Sequence, residues 1–145
     1  MRDDAYYMNE ALKQAKIAFS EDEVPVGCII VCKDKIVGKA YNLSSKLNDF
    51  TAHAEMQAFT SAALALGGKY LNDCTLYVTL EPCLMCAGAC YWTQIGRVVF
   101  GAKDEKKGAS SYGINPYHPK TIVVGGIMEK ECSEILKTYF SKKRK

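Results

Sequence analysis

Two short stretches of the chain gather side chains that do chemistry. They are Thr51-Ala52-His53-Ala54-Glu55 and Glu81-Pro82-Cys83-Leu84-Met85-Cys86. Cys83 and Cys86, three apart, share one face of a helix's first turn. There the helix dipole and the unpaired N–H groups favour thiolate, the form of cysteine that binds metal. With His53 they make three soft-to-borderline ligands. Zinc held by three protein ligands keeps its fourth position for water, the pattern of a catalytic site rather than a closed structural one. Glu55, two residues beyond His53, lies close to such a metal without being an obvious fourth ligand. Bound zinc lowers the pKa of water from about 15.7 to about 7, and a neighbouring carboxylate can take that proton and return it to a substrate. Hydrolytic removal of an amino group needs both steps. Taken alone, a Cys-x-x-Cys also serves as a redox pair or as half of a structural zinc site, and a lone His-x-Glu usually does nothing. No second Cys-x-x-Cys occurs, however, and 26 residues separate Glu55 from Pro82, so that each motif opens a predicted helix.

The elements that must position these residues are legible from periodicity. Met8, Leu12, Ala15 and Phe19 recur at helical spacing and predict an amphipathic helix over Asp4 to Ser20. Val26 to Cys32, the polar turn Lys33-Asp34-Lys35 and Ile36 to Tyr41 read as a hairpin. Asn42 to Thr51 is polar loop, and Ala52 to Leu66 is a helix ended by Gly67-Gly68. Thr75 to Leu80 is a strand, and Pro82 occupies the expected first position of the helix Cys83 to Gln94. Arg97 to Gly101 follows as a strand, and this order implies a parallel pair. Residues 103 to 119 form a polar loop too long for mere connection. A short strand, Thr121 to Val124, and a helix from Glu129 to Lys142 close the chain. The expected result is an α/β fold with a mixed five-stranded sheet between helices, a three-layer α/β/α arrangement.

The 145 residues, 48% apolar and 24% charged, fit one soluble domain spanning 1–145 and exclude disordered, collagen-like and coiled-coil classes. No apolar run approaches the ~20 residues of a membrane span. The start, Met1-Arg2-Asp3-Asp4, lacks the profile of a signal peptide, so a reducing cytoplasm is the expected location. Seven cysteines are an odd number, and any disulfide framework would leave one over. Cys28, Cys32 and Cys90 are assigned to packing; Cys74 and Cys132 show no partner or spacing signal. The net charge of +3 is uneven: residues 137–145 carry five positive charges and no negative one, and the preceding residues carry a net of −2. Tyr139 and Phe140, followed by Lys142, Lys143, Arg144 and Lys145, could stack bases and meet phosphates. His118 is assigned no role.

The motifs and their context resemble the zinc-dependent cytidine deaminase superfamily, whose signature is His-x-Glu followed by Pro-Cys-x-x-Cys. Within it the sequence is similar to bacterial tRNA-specific adenosine deaminases, through Glu23 to Gly27, the His53 motif, Leu76 to Ala89 and Ile95 to Asp104. The resemblance implies a cytidine deaminase-like fold, one Zn2+ per chain on His53, Cys83 and Cys86, and Glu55 as general acid/base. It further implies attack by zinc-activated water on the amino-bearing carbon of a wobble adenosine, yielding inosine in an arginine tRNA, and a homodimer. Asn42, Ala54, Asp104 and Lys106 take the substrate-binding positions of this family. Three departures stand out. Leu43-Ser44 replace a more usual Arg-Pro, Phe50 replaces a proline, and Tyr91-Trp92 resemble the guanine deaminases of the same superfamily. A small-molecule purine deaminase is therefore the alternative.

Overall fold

The computed structural model describes residues 2–144. Lys145, one of the five tail charges, lies outside the described residues. Helix α1, Asp4–Ser20, begins at Asp3, whose carboxylate accepts the Tyr6 N–H at 2.8 Å, a side-chain N-cap. Strands β1 (Gly27–Cys32) and β2 (Lys35–Tyr41) form an antiparallel hairpin. Its two-residue turn places Lys33 and Asp34 at φ of 50° and 63°, the double left-handed geometry that matches strand twist. Helix α2 (Ala54–Leu66), strand β3 (Cys74–Leu80), helix α3 (Leu84–Thr93) and strand β4 (Arg97–Ala102) follow. The chain closes with strand β5 (Ile122–Val124) and helix α4 (Glu129–Lys143).

The sheet order is β2-β1-β3-β4-β5, antiparallel as far as β3 and parallel beyond it. Alternation along the strands splits the core into two layers. Cys28, Ile30, Leu76, Val78 and Val98 face α2 and α3, where Ala58, Phe59, Ala62, Ala87 and Cys90 meet them. Ile29, Val31, Tyr77 and Val99 face α1 and, through Cys132, α4. The three-layer α/β/α reading therefore holds. Alanines at 11, 15 and 18 let α1 lie almost on the sheet, and a Cβ at Gly27 would collide with backbone atoms of Ala11 and Ala15. Asp4 fixes the helix start: its carboxylate accepts two bonds from Arg97, at 2.7 and 2.6 Å, and one from the Tyr77 hydroxyl at 2.7 Å.

Three expectations are corrected. Helix α2 starts at Ala54 rather than Ala52, and α3 at Leu84 rather than Cys83, so Pro82 precedes the N-cap instead of occupying the first helical position. The reason is shared: His53 and Cys83 are N-caps with extended backbone, which turns their side chains away from the helix axes. Cys74 does have a neighbour, because it sits directly opposite Cys32 across the β1–β3 ladder. The 103–119 loop is itself structured, with a 3-10 turn at Ala109–Tyr112 and Tyr117 packed into the core.

Candidate active site

Helices α2 and α3 begin at the same end of the sheet and aim their N-termini at one point. Neither N-cap makes a side-chain capping bond. A capping side chain typically contributes about 1 kcal/mol; here that stabilisation is forgone and both side chains are free to meet. The His53 Nδ1 atom lies 3.5 Å from Sγ of Cys83 and 3.5 Å from Sγ of Cys86. The ligand atoms of the three all fall within 4.8 Å of one another, the one such cluster among the described residues. A tetrahedral zinc with Zn–S of about 2.3 Å and Zn–N of about 2.05 Å places nitrogen and sulfur about 3.6 Å apart. The donor set thus fits the ion in both chemistry and spacing.

The electrostatics agree. Hydrogen bonding from the Cys86 and His53 side chains lowers the Cys83 pKa to about 4, against the opposing effect of burial. The Cys86 thiol, donating to Cys83 and buried, is pushed up. The bond to Cys83 raises the pKa of His53 although burial opposes it. Cys83 is thus biased toward thiolate beside two helix N-termini. Cys90, one turn beyond Cys86, is fully buried, its thiol pushed up by desolvation, and it stands outside the cluster.

A cavity of about 200 Å³ opens over this cluster. His53, Ala54, Glu55 and Cys83 line it, and Glu55, in the first turn of α2, is 3% exposed. Burial is the main cause that raises the Glu55 pKa. Asn42 and Ser44 border the cavity from the loop after β2, and Asp104 and Lys107 from the loop after β4. Asn42 is buried; its Oδ1 accepts the Ser44 N–H at 3.2 Å and its Nδ2 donates to the Val24 carbonyl at 3.4 Å. One amide hydrogen and one lone pair remain for a ligand.

Two candidate positions, Lys106 and Tyr139, are placed away from the roles expected of them. Lys106 does not line the cavity. Its backbone N–H and that of Lys107 both bind the Asp104 side chain, at 3.1 and 3.0 Å, and this turn presents Lys107 instead. Tyr139 is 8% exposed, packs on Phe19 and donates its hydroxyl to the Asp22 carbonyl at 3.2 Å, so it anchors α4 rather than offering a stacking face. Lys143 is paired with Asp22, and Lys142 lies 5.0 Å over the Phe19 ring. Phe140, at 46% exposed, and Arg144 face solvent.

The family model for the cytidine and deoxycytidylate deaminase zinc-binding region matches residues 1–102. The chain belongs to this deaminase family. It is 42% identical to the tRNA-specific adenosine deaminase of Bacillus subtilis, over all of this chain and 93% of that protein. A solved structure from work on A-to-I editing by tRNA:A34 deaminases superposes with a TM-score of 0.84 at 39% identity, covering 90% of this chain and 99% of that one. A guanine deaminase from Bacillus subtilis superposes with a TM-score of 0.68 at 32% identity, covering 79% of this chain and 73% of that one. This deaminase-family chain differs from the sequence expectation mainly in what surrounds the site. Glu23, Glu81 and Lys107 were given no role by motif reading. The available signal was an acidic residue beside an apolar run, Glu23-Val24-Pro25-Val26 and Leu80-Glu81-Pro82, where burial of the carboxylate demands partners.

Proposed function

We propose that the chain is a zinc-dependent hydrolase that deaminates adenosine to inosine at the wobble position of a tRNA anticodon loop. The observation that carries this is the convergence of His53, Cys83 and Cys86 with buried Glu55 on one small cavity at two helix N-termini. Zinc, when bound, supplies an acidified water and polarisation of the reacting centre. His53, Cys83 and Cys86 would hold it. Glu55 is buried in the cavity wall beside His53 and Cys83. In this reading its carboxyl takes one proton of the water and gives it to the adenine ring nitrogen beside the reacting carbon; it then takes the second, from the oxygen now bonded to that carbon, and gives it to the amino group, which leaves as ammonia. Burial raises its pKa, which favours the protonated form it must pass through to return a proton. Asn42, Ala54 and Asp104 would orient the nucleoside, with Lys107 rather than Lys106 facing the adjoining phosphates. Anticodon-loop nucleotides are already partly unstacked, so an adenosine enters at low cost.

Phe140, Lys142 and Arg144 extend the contact surface in this reading, and the chain acts as one deaminase domain in a homodimer on an arginine tRNA. Work in the cytoplasm follows from a tRNA substrate; among the described residues no helix is long and apolar enough to cross a membrane. The test is incubation of the zinc-loaded protein with an anticodon stem-loop carrying adenosine at the wobble position, followed by nucleoside analysis. Inosine at that position supports the reading. Absence of inosine together with turnover of free guanine supports a purine-base deaminase instead. Tyr91 and Trp92, the pair that resembles guanine deaminases, stand at the far end of α3 from Cys83 and do not line the cavity. That placement favours the RNA reading.

A further inference from the structure

The cavity is bordered by two loops whose internal turns shape each loop but do not by themselves fix it against the sheet. One leaves β2 and the other leaves β4, and since β1 and β3 lie between those strands, the loops flank the opening. Each inner strand carries a buried glutamate at this end. Glu23, just before β1, is 1% exposed, and its two carboxylate oxygens accept the backbone N–H groups of Ser45 and Lys46 at 2.9 and 2.6 Å. Glu81, just after β3, is 4% exposed, and its two oxygens accept those of Asp104 and Ser110 at 3.2 and 2.9 Å. A carboxylate only accepts, and both oxygens of both residues are engaged with main chain. These bonds tie the loop backbones to the sheet, alongside the turns that Asn42 and Asp104 make within the loops. Gly108 packs so tightly that a Cβ there would collide with the Glu81 carboxylate and the Asp104 carbonyl.

We propose that Glu23 and Glu81 are a matched pair of positioning residues that set the width of the nucleoside cavity. Glu23 holds the wall containing Asn42 and Ser44, and Glu81 holds the wall containing Asp104 and Lys107. Neither glutamate belongs to the ligand cluster at the cavity floor, so the pair governs capture of the nucleoside and leaves the proton chemistry to Glu55. This rests on the proposed deaminase reading.

The test compares zinc-loaded wild type with Glu23→Gln, Glu81→Gln and the double variant, on an anticodon stem-loop with adenosine at the wobble position. Each glutamine turns an amide group toward a main-chain donor and breaks one clamp bond. We expect KM to rise about tenfold per variant and kcat to stay within about threefold. The two KM effects should multiply in the double variant, because the clamps share no partner. Zinc content should stay at the wild-type level. Amide hydrogen exchange should quicken at Ser45 and Lys46 only in Glu23→Gln, and at Asp104 and Ser110 only in Glu81→Gln. Unchanged KM despite quickened exchange would overturn the proposal, as would loss of kcat together with zinc. If Glu81→Gln does not fold, Gly108→Ala presses on the same carboxylate from the loop side and must give the same KM split. If wild type leaves the stem-loop untouched, the substrate reading fails separately, and the split is then required in KM for the free purine that it does turn over.

Discussion

Replacing Glu55 by glutamine isolates proton transfer from every other contribution at this site. The side chain is 3% exposed, so alanine would leave a cavity, whereas glutamine keeps the volume and removes only the ability to shuttle a proton. A volume-conserving swap in a packed wall costs less than about 1.5 kcal/mol, a melting shift under about 5 °C in a chain of this size. The metal donors are untouched, since none of the His53, Cys83 and Cys86 ligand atoms belongs to residue 55. Loss of general acid–base catalysis should cost ~10²–10⁴ in rate, about 3–5 kcal/mol of transition-state stabilisation. Single-turnover inosine formation, zinc content by mass spectrometry and thermal melting read the three quantities on one preparation. A variant within tenfold of wild type at full zinc occupancy would refute the shuttle. One that loses zinc would show that Glu55 serves the metal instead.

Other outcomes follow from the same geometry. Cys86→Ser, or chelation of the wild type, should abolish zinc binding and activity; for a ligand at about 1,000 times its Kd the lost stabilisation is about 4 kcal/mol, a fall in Tm on the order of 10 °C. Asp4 is held below its ordinary pKa of 3.8 chiefly by its bonds to Arg97, so its contribution is complete above that value and is lost as pH falls below it. Acid titration followed by circular dichroism should show this loss in wild type, and Asp4→Asn should lower stability by about 1–3 kcal/mol at neutral pH and flatten that limb. Lys142→Ala and Arg144→Ala should weaken stem-loop binding and each reduce the salt slope by about 0.7 without altering Tm. Tyr139→Ala should instead cost about 3 kcal/mol of stability, measured by denaturant unfolding.

The helices, the strands and the three metal donors were legible because each rests on a local rule: period 3.6, period 2, or a ligand spacing within one turn. Two kinds of feature were not. Helix starts moved by a residue or two, because His53 and Cys83 serve the site as N-caps and abandon the helical backbone that Ala52 and Pro82 would otherwise begin. Long-range pairings were invisible too. Cys32 meets Cys74 only through strand register, and Glu81 meets Ser110 only because the loop after β4 folds back over α3. No spacing in the sequence encodes either contact; the partner is chosen by topology.

The basic tail shows how such a pairing changes an electrostatic argument. Five positive charges at the end of a chain whose remainder is net −2 read as a free polycation. In the fold α4 is docked: Tyr139 bonds the Asp22 carbonyl and Lys143 pairs with the Asp22 carboxylate. Pairing lessens the charge available to a polyanion, yet it also fixes where the remainder sits. Asp22 adjoins Glu23, whose carboxylate holds Ser45 and Lys46, and Lys46 in turn reaches Glu21. The end of α4, the end of α1 and the wall of the cavity beside Asn42 are thus one hydrogen-bonded patch. On the proposed RNA reading, a phosphate backbone drawn to Lys142 and Arg144 would arrive next to the wall that Glu23 holds, and the tail would then contribute through position as much as through charge. Moving the same charges onto a flexible extension after residue 145, with Lys142 and Arg144 neutralised, should therefore restore salt-dependent binding but not wild-type KM.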